Sequence, residues 1–415
     1  MSADSNLANE LESGNFYKNP YPFFAEFREK EPVFYSNSLG GWILLRYQEI
    51  DQVLRDHDTY SSKGRVLHLL QKLPIEIQPQ IRLLNSHFSY GLAHSDNPEH
   101  KRLRSLLAQA FTPRFVEGFK PIITEVVDRT ISQLDIKFDL IEDVFTPIPA
   151  LVVGKLLGSE EGDIPNLIKW AGAINGLYEK GGNISEEKAL YAERMLEEIR
   201  AFVLTLVDKR RQLLNLGKLD SNADVLSGLV AAEVDNGSLS EDELVSTVVT
   251  LFVAGHETTT HLLGNGFFAL FSSDLELKEF SENSENISDL VDEMARFDGS
   301  VPRSWRINKV DVEILDQKIP AGELILPMLA SANHDPKVFT DPDIFRLNVD
   351  SKKHLAFGKG IHVCLGAPLA RIEGQEILKS ILKHKPTIEF DCNLAELNWR
   401  KDIALRGLIN LPARA

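Results

Sequence analysis

Apolar residues recur at helical spacing through the middle of the chain, from about residue 95 to about residue 300. Leu103 and Leu106 are three positions apart, and Ile199 and Val203 are four positions apart. Side chains at these spacings share one face of an α-helix. The pattern therefore predicts that this central stretch is the helical bulk of the protein.

Shorter runs on either side of this stretch have the composition of β-strands. The run from Gly41 to Tyr47 is β-rich and follows a turn-like run of serine, asparagine and glycine. The runs from Val310 to Ile314 and from Glu323 to Pro327 are predicted strands with a turn at Pro320 to Gly322 between them. We therefore expect a mainly α protein with a minor β-sheet region, an α+β architecture. Its β-rich parts cover about residues 30–60 and 306–330.

The chain of 415 residues is expected to form a single domain, residues 1–415, because no linker, low-complexity tract or internal repeat divides it. Its N-terminal residues lack the basic and apolar regions of a leader, so we expect no secretion. The most apolar helix-length segment, Val248 to Phe271, is interrupted by polar residues that are costly in hydrocarbon. We expect no membrane anchor.

Charge and cysteine content narrow the range of partners and compartments. The formal net charge of −16 argues against a nucleic acid partner, because phosphate binding needs a basic surface. The only cysteines are Cys364 and Cys392, so no disulfide framework is expected. A reducing, cytoplasmic location fits this composition.

The most informative segment is the run Phe-Gly-Lys-Gly-Ile-His-Val-Cys-Leu-Gly at residues 357–366. Its glycines allow the backbone to bend tightly and to approach a flat ring closely, because they lack a Cβ atom. Cys364 could then present its thiolate to iron. The alternative is that Cys364 is a small buried apolar residue beside a glycine turn.

The spacing Phe-x-x-Gly-x-x-x-Cys-x-Gly resembles the signature of the cytochrome P450 family, and residues 367–371 resemble the start of the helix behind its cysteine. This resemblance implies the cytochrome P450 fold, with haem b between a long central helix and the cysteine loop. Cys364 would be the axial ligand of the haem iron. The cofactor-binding residues implied by the resemblance are His100, Arg104, Ala254, Arg306, Phe357, Gly358, His362, Cys364 and Gly366.

Four of these residues would bind the haem propionates. His100 and Arg104 share one face of a helix that Asn97 and Pro98 are predicted to begin, as N-cap and first helical residue. In the family, a His-x-x-x-Arg at this point binds a propionate through charge-assisted hydrogen bonds. Without the resemblance, an exposed basic pair would be the default interpretation. Further propionate partners implied by the resemblance are Arg306 and His362.

The long central helix is predicted to begin at the capping box Ser240 to Glu243, Ser-x-x-Glu. Further along it, the run Ala-Gly-His-Glu-Thr-Thr resembles the oxygen-activating motif of the family. Thr258 would be the hydrogen-bonding alcohol and Glu257 the acid, and together they could relay protons to dioxygen while limiting bulk water. The alternative is a helix in which Thr258 bonds to the carbonyl of Ala254.

Glu293 and Arg296 resemble the buried Glu-x-x-Arg ion pair of the family, which ties a helix to the loop below the haem. A surface pair at this spacing is the alternative. The arginine that usually completes this triad falls at Val349. Either Arg346 substitutes for it or the triad is incomplete.

The long apolar segment from Val66 to Phe88 lies where the family has its variable substrate-covering loop. A lipophilic small molecule is the expected substrate, as in most ligand pockets. Fatty acid, terpenoid, steroid and polyketide remain open. The C-terminal run from Trp399 to Leu408 resembles soluble bacterial members of the family that tailor secondary metabolites. The residues expected to line the pocket are Leu67, Leu69, Leu70, Val253, Val301, Pro302, Ala404 and Leu405.

No flavin or nicotinamide fingerprint is present, so electrons are expected from NAD(P)H through an external ferredoxin and ferredoxin reductase. A basic face for the acidic ferredoxin could be formed by Lys101, Lys352, Lys353, Lys359 and Arg371. The expected activity is a monooxygenase that inserts one atom of dioxygen by hydroxylation or epoxidation. The alternatives are a non-catalytic haem-thiolate sensor and a peroxide-driven peroxygenase on the same fold. A monomer is the family-level expectation.

Overall fold

The computed structural model describes residues 2–177, 184–235, 239–280, 284–347 and 349–415. Interleaved stretches of chain form two compact units. The larger unit comprises residues 1–61, 127–147 and 258–415, and the smaller unit comprises residues 62–126 and 148–257. The single domain expected from the sequence stays a prediction.

Helices dominate the fold, and the mainly α class with minor β-sheets is confirmed. Among the described residues, no helix combines the length and the apolar character needed to cross a membrane. The α-helices are α1 Ala3–Ser13, α2 Asn15–Lys18, α3 Tyr21–Lys30, α4 Tyr47–Arg55, α5 Arg65–Gln71, α6 Arg82–Tyr90, α7 Glu99–Ala110, α8 Pro113–Ser132, α9 Pro147–Leu156, α10 Ile164–Asn175, α11 Glu186–Asn215, α12 Val225–Asp235, α13 Glu241–Phe271, α14 Ser284–Asp298, α15 Leu329–Ala332 and α16 Ala367–His384.

The β-strands all lie in the larger unit. They are β1 Val33–Ser36, β2 Gly41–Leu44, β3 Tyr60–Ser61, β4 Lys137–Asp139, β5 Arg306–Asn308, β6 Val312–Ile314, β7 Gln317–Ile319, β8 Leu324–Pro327, β9 Glu389–Phe390 and β10 Pro412–Arg414. The main sheet has the order β1-β2-β8-β5-β3, and only the β2–β8 pair is parallel. A second sheet has the order β4-β10-β9, and β6 and β7 form a separate hairpin.

Two strand predictions were wrong in detail. The first predicted strand ends at Leu44 rather than Tyr47, because the backbone N–H of Tyr47 donates to Asp335 Oδ2 at 3.0 Å and begins α4. The second pair of strands is not joined directly, because β7 lies between them and pairs with β6. The two residues of that hairpin turn, Leu315 and Asp316, adopt positive φ, which the sequence pattern does not signal.

The core of the larger unit surrounds its main sheet. One cluster packs the aromatic residues of α2 and α3 against β2 and β8, with Phe24 fully buried. A second cluster packs α4 against β2 and β8 through Ile50 and Ile325. Leu355, at the base of the cysteine loop, belongs to this second cluster. The loop therefore rests on a fully packed part of the unit.

The smaller unit is a helical assembly held by buried polar contacts. Both carboxylate oxygens of Glu193 on α11 accept backbone N–H groups of Leu83 and Leu84, at 2.8 Å each, and so cap the N-terminus of α6. Arg210 on the same helix forms a buried ion pair with Asp224 at 2.8 Å. These contacts place α6 and the start of α12 along α11.

Candidate active site

The cysteine loop, residues 357–366, is closed by its own backbone. The N–H of Cys364 donates to the carbonyl of Phe357 at 2.8 Å, and the N–H of Gly358 donates to the carbonyl of Leu355 at 2.8 Å. Gly358 and Gly360 have φ of +69° and +71°, conformations that L side chains rarely adopt. A Cβ atom placed on Gly360 would lie 2.4 Å from the carbonyl oxygen of Leu54. The loop therefore requires glycine at position 360 both for conformation and for space.

Cys364 is exposed near the end of this loop, three residues before α16 begins. Its sulfur lies close to the residue that precedes α16, because a Cβ atom placed on Gly366 would be 3.9 Å from Cys364 Sγ. The N-terminal end of a helix carries partial positive charge, which favours an anionic ligand near it. A cysteine thiolate is a soft sulfur donor and is one of the side chains that bind haem iron as an axial ligand. The thiol and its loop fit a haem, and the interpretation of Cys364 as a buried apolar residue does not describe this geometry.

The ring of Phe357 is held between two side chains that share one carboxylate. The guanidinium of Arg371 lies 4.7 Å from the Phe357 ring centroid and the ring of His354 lies 5.4 Å from it. Arg371 Nε donates to Asp292 Oδ1 at 2.7 Å. His354 Nδ1 accepts the backbone N–H of Ala356 at 3.1 Å, so the ring proton lies on Nε2, 3.6 Å from Asp292 Oδ1.

The charge state of this cluster follows from its surroundings. Burial alone would raise the pKa of Asp292, but the nearby His354 ring and the hydrogen bond and charge of Arg371 outweigh it and hold that pKa below its ordinary value. Burial also lowers the pKa of His354, against the opposing effect of Asp292. Sequence reasoning missed Asp292 and His354 as supports of the loop. The sequence feature that could have indicated this role was a histidine, His354, three residues before Phe357.

Glu293 and Arg296 form a fully buried bidentate ion pair, with Nε–Oε2 and Nη2–Oε1 distances of 2.7 Å. The Arg296 Nη1 atom also donates to the carbonyls of Asn333 and Pro342, at 2.9 Å each. Side-chain exposure is 4% for Arg296 and 0% for Glu293, so this pair is not the surface pair of the alternative interpretation.

The third partner of Glu293 is not an arginine side chain. Ser351 Oγ donates to Glu293 Oε2 at 2.7 Å, and the backbone N–H of Arg346 donates to Oε1 at 3.2 Å. The Arg346 guanidinium is directed instead to Asp341, at 3.0 Å. Substitution by the Arg346 side chain is therefore wrong, and a serine hydroxyl and a backbone amide complete the coordination of Glu293. The side chain of Val349 lies outside what the structure describes.

The predicted capping box begins α13. Glu243 Oε2 accepts the N–H of Ser240 at 2.9 Å, and Ser240 Oγ accepts the N–H of Glu243 at 3.2 Å. Further along, a Cβ atom placed on Gly255 would lie 2.8 Å from a methyl group of Val153 on α9. Gly255 therefore allows α13 to pack closely against α9 within the smaller unit.

The middle of α13 has one accessible face. Ala254 is exposed and Glu257 and Thr258 are half-buried, whereas Phe252 and Leu263 on either side are fully buried. Ala254 and Thr258 are four positions apart and so lie on the same face of the helix. An exposed alanine and a half-buried threonine on one helix face are what a ligand-facing surface requires.

The predicted propionate partners are distributed over both units. His100 is buried and Arg104 half-buried on α7 of the smaller unit. The predicted N-cap was wrong: α7 begins at Glu99, and Pro98 at the cap position has helical dihedral angles and no side-chain cap. In the larger unit, Arg306 is buried on β5 and donates to the carbonyl of Trp305 at 2.7 Å, and His362 is half-buried in the cysteine loop.

The predicted pocket residues also divide between the units. On α5 of the smaller unit, Leu67 and Leu69 are half-buried and Leu70 is fully buried, and Val253 is half-buried on α13. In the larger unit, Val301 and Ala404 are half-buried, whereas Pro302 and Leu405 are buried. The segments that carry these four residues are joined by the N–H of Arg406, which donates to the carbonyl of Ser300 at 2.8 Å.

Three members of the predicted basic face have acidic partners. Lys352 lies 3.1 Å from Asp289, and Lys353 lies 2.6 Å from Asp350. Arg371 is paired with Asp292, as described above. The positive charge near the cysteine loop is therefore smaller than the count of basic residues suggests.

The fold, the cysteine loop and the buried Glu293–Arg296 pair define a haem-thiolate protein. The family model "Cytochrome P450" matches residues 56–274 and 287–392. The chain belongs to the cytochrome P450 family, whose members hold haem, use dioxygen and receive electrons from external donors, and it is a monooxygenase of that family.

Bacterial relatives match along nearly the whole chain. Polyketide biosynthesis cytochrome P450 PksS of Bacillus subtilis is 31% identical over 408 residues, covering 96% of both chains. The 6-deoxyerythronolide B hydroxylase of Saccharopolyspora erythraea is 30% identical over 416 residues, covering 98% of both. The crystal structure of P450BioI in complex with hexadec-9Z-enoic acid ligated acyl carrier protein has a TM-score of 0.85 at 28% identity, covering 97% of this chain and 100% of that one.

Proposed function

We propose that this protein hydroxylates or epoxidises a lipophilic small molecule in the tailoring of a secondary metabolite of polyketide, terpenoid or fatty-acid-like structure. The observation that carries the proposal is the exposed thiol of Cys364 on a loop whose glycines admit a flat ring. Relatives named for polyketide biosynthesis and as a 6-deoxyerythronolide B hydroxylase, and a similar structure in complex with a fatty-acid-ligated acyl carrier protein, favour a polyketide or fatty-acid-like substrate.

The residues of this chain fit haem b. Cys364 would bind the iron, and four donors would pair with the two propionates, namely His100, Arg104, Arg306 and His362. The loop residues Phe357, Gly358 and Gly366, with Ala254 on α13, would contact the ring. When bound, the haem supplies the activation of dioxygen, which the thiolate ligand favours.

Glu257 and Thr258 would handle the protons of the reaction. The Thr258 hydroxyl lies on the accessible face of α13 and can donate a hydrogen bond there, and Glu257 is adjacent in sequence and half-buried. A carboxyl next to the hydroxyl in sequence would supply protons, and the hydroxyl would pass them on while the apolar helix excludes bulk water. The apolar residues expected to contact the substrate are Leu67, Leu69, Leu70, Val253, Val301, Pro302, Ala404 and Leu405.

Electrons would come from NAD(P)H through ferredoxin reductase and ferredoxin in the cytoplasm, to a monomeric enzyme. Lys359 lies in the cysteine loop, Lys352 and Lys353 are exposed a few residues before it, and Lys101 is exposed on α7. Partial neutralisation of Lys352 and Lys353 by aspartates leaves Lys359 as the loop cation with the clearest role in docking an acidic partner.

The acid–alcohol pair of Glu257 and Thr258 also separates this proposal from its alternatives. A haem-thiolate sensor has no need of a proton relay, and a peroxygenase receives its protons with peroxide. We expect Thr258→Ala to keep haem binding but to divert reducing equivalents to hydrogen peroxide. The measurement is NADPH consumption against peroxide and product formed. Unchanged turnover without ferredoxin, driven by peroxide alone, would favour the peroxygenase instead.

The direct test of the proposed reaction uses the reconstituted enzyme with ferredoxin, its reductase and NADPH. Macrolide precursors, free long-chain fatty acids, carrier-bound acyl chains and terpenoids are offered in parallel under isotopically labelled dioxygen. Mass spectrometry should show a product with a single labelled oxygen atom. Labelled oxygen found only in water or peroxide for every class would contradict the proposed substrates.

A further inference from the structure

A buried polar cluster in the larger unit joins the two segments that carry predicted pocket residues. We call residues 300–305 and 402–406 the two wall segments. Asn265 on α13 is fully buried, and its Nδ2 atom donates to the carbonyl of Asp298 and to the carbonyl of Arg406, at 3.1 Å each. One amide group therefore contacts the chain just before the first wall segment and the last residue of the second.

A buried ion pair connects the same two places. Arg406 Nε donates to Asp298 Oδ1 at 2.6 Å, and Tyr21 Oη donates to the same oxygen at 2.6 Å. The side chains of Arg406 and Asp298 are 7% and 5% exposed. The guanidinium also donates to the carbonyls of Tyr17 and Lys18 and lies 3.9 Å from the Trp399 ring centroid. Hydrogen bonds to both charges offset the cost of removing them from water.

Further hydrogen bonds join the wall segments to each other, and close packing joins the second segment to α13. The N–H of Arg406 donates to the carbonyl of Ser300 at 2.8 Å, and Arg303 Nε donates to the carbonyl of Ile403 at 3.1 Å. A Cβ atom placed on Gly407 would lie 2.1 Å from His261 Nδ1 on α13. Immediately after the second wall segment, the chain therefore contacts α13 at a position where only glycine fits.

Asn265 lies on the face of α13 that carries Thr258. The two residues are seven positions apart, about two helical turns, and so point in nearly the same direction. Both donors of the buried amide are used in these two bonds, whereas Asn265 Oδ1 is buried with no hydrogen-bond partner among the residues that the structure describes. Two hydrogen bonds from one buried amide favour a single arrangement of the segments they join, which an apolar side chain of the same size would not.

We infer that Asn265 is a positioning residue, assisted by the Asp298–Arg406 pair, which sets the distance of both wall segments from Thr258 and so determines which substrates fit. This inference rests on the proposed function, because the walls face a substrate only if the pocket exists. It assigns to Asn265 and Arg406 a role in specificity although neither is a predicted pocket residue.

The test compares two haem ligands of different size. Imidazole needs only access to iron, whereas phenylimidazole also needs the space between the walls. Their dissociation constants are measured by optical titration of the haem-loaded protein. Asn265→Ala should weaken the binding of phenylimidazole by roughly tenfold relative to imidazole, because the variant loses both hydrogen bonds that hold the wall segments in place. The thiolate-type band of the reduced carbon monoxide complex should be unchanged.

Two further variants complete the design. Thr260→Val is the matched control, because Thr260 is buried on the same helix but donates to the carbonyl of Phe145 at 2.7 Å, away from the walls. Its affinity ratio should equal that of the wild type. Tyr21→Phe removes only the hydroxyl that supports Asp298, and it should shift the ratio in the same direction as Asn265→Ala by a few-fold. Tyr21→Phe decides the question if Asn265→Ala does not fold.

The outcomes separate this inference from the proposed function. An unchanged affinity ratio in folded Asn265→Ala, or in Tyr21→Phe if the first variant is unfolded, overturns the inference and leaves the proposed function standing. A shift of equal size in Thr260→Val also overturns it, because the effect would then be general loosening of α13. A wild-type protein that binds neither azole overturns the proposed function and the inference with it.

Discussion

Glu373 offers a quantitative test of how the helix behind the cysteine is packed. It lies on α16, nine residues after Cys364, and is 1% exposed. Its neighbour Gly374 packs against α14 and α13: a Cβ atom placed there would lie 3.1 Å from Val291 and 3.5 Å from Leu263. Glu373 Oε2 has no hydrogen-bond partner among the residues that the structure describes. Burial raises the pKa of Glu373 from 4.5 to about 8.

The sign and size of the effect follow from linkage between protonation and folding. Because the pKa is raised in the folded state, the carboxyl is neutral there, and its contribution to stability is fully present below pH 4.5 and lost as pH rises through about 8. A pKa difference of one between the folded and unfolded states corresponds to about 1.4 kcal/mol, so the loss across this window is on the order of 4 to 5 kcal/mol. Glu373→Gln, which is neutral at every pH, should not show it.

The assay is urea unfolding of the haem-loaded protein and of Glu373→Gln, followed by circular dichroism at several pH values across this window. The difference in unfolding free energy between the two proteins should grow in favour of the variant by about 1.4 kcal/mol per pH unit between these two pKa values. Exposed Glu12→Gln is the control and should show no such trend. A difference that stays constant with pH would refute the interpretation that Glu373 is buried and neutral.

Three further variants test the cysteine loop and its supports. Ser351→Ala removes a donor to the buried Glu293 carboxylate, and we expect a loss of about 1–3 kcal/mol in unfolding free energy, measured by urea denaturation. Gly360→Ala forces a Cβ atom against the carbonyl of Leu54, and we expect loss of haem content in the absorption spectrum of the purified protein. Lys359→Glu should raise the KM for ferredoxin several-fold and leave haem content unchanged, as measured by steady-state titration at low ionic strength.

Features set by neighbouring residues could be predicted from the sequence. The start of α13 depends on a capping box of four consecutive residues, and the cysteine loop depends on glycines within ten positions of one another. Local spacing carries this information, because the groups that interact are close along the chain. The mainly α class followed from the same kind of periodicity.

Contacts between distant parts of the chain could not be predicted in this way. Ser351 and Glu293 are 58 positions apart, and Arg406 and Asp298 are 108 positions apart. No local pattern marks a serine as the partner of a buried carboxylate. The hairpin of β6 and β7 was missed for a different reason, because its turn residues, Leu315 and Asp316, are not the glycine and asparagine that usually adopt positive φ.

The central claim is that Cys364 is the thiolate ligand of a haem, and the absorption spectrum of the reduced carbon monoxide complex tests it most directly. The purified protein is reduced with dithionite, exposed to carbon monoxide and compared with Cys364→Ala. We expect a strongly red-shifted Soret band that is lost in the variant. A Soret band like that of histidine-ligated haem in both proteins, or an identical spectrum with and without Cys364, would contradict the claim.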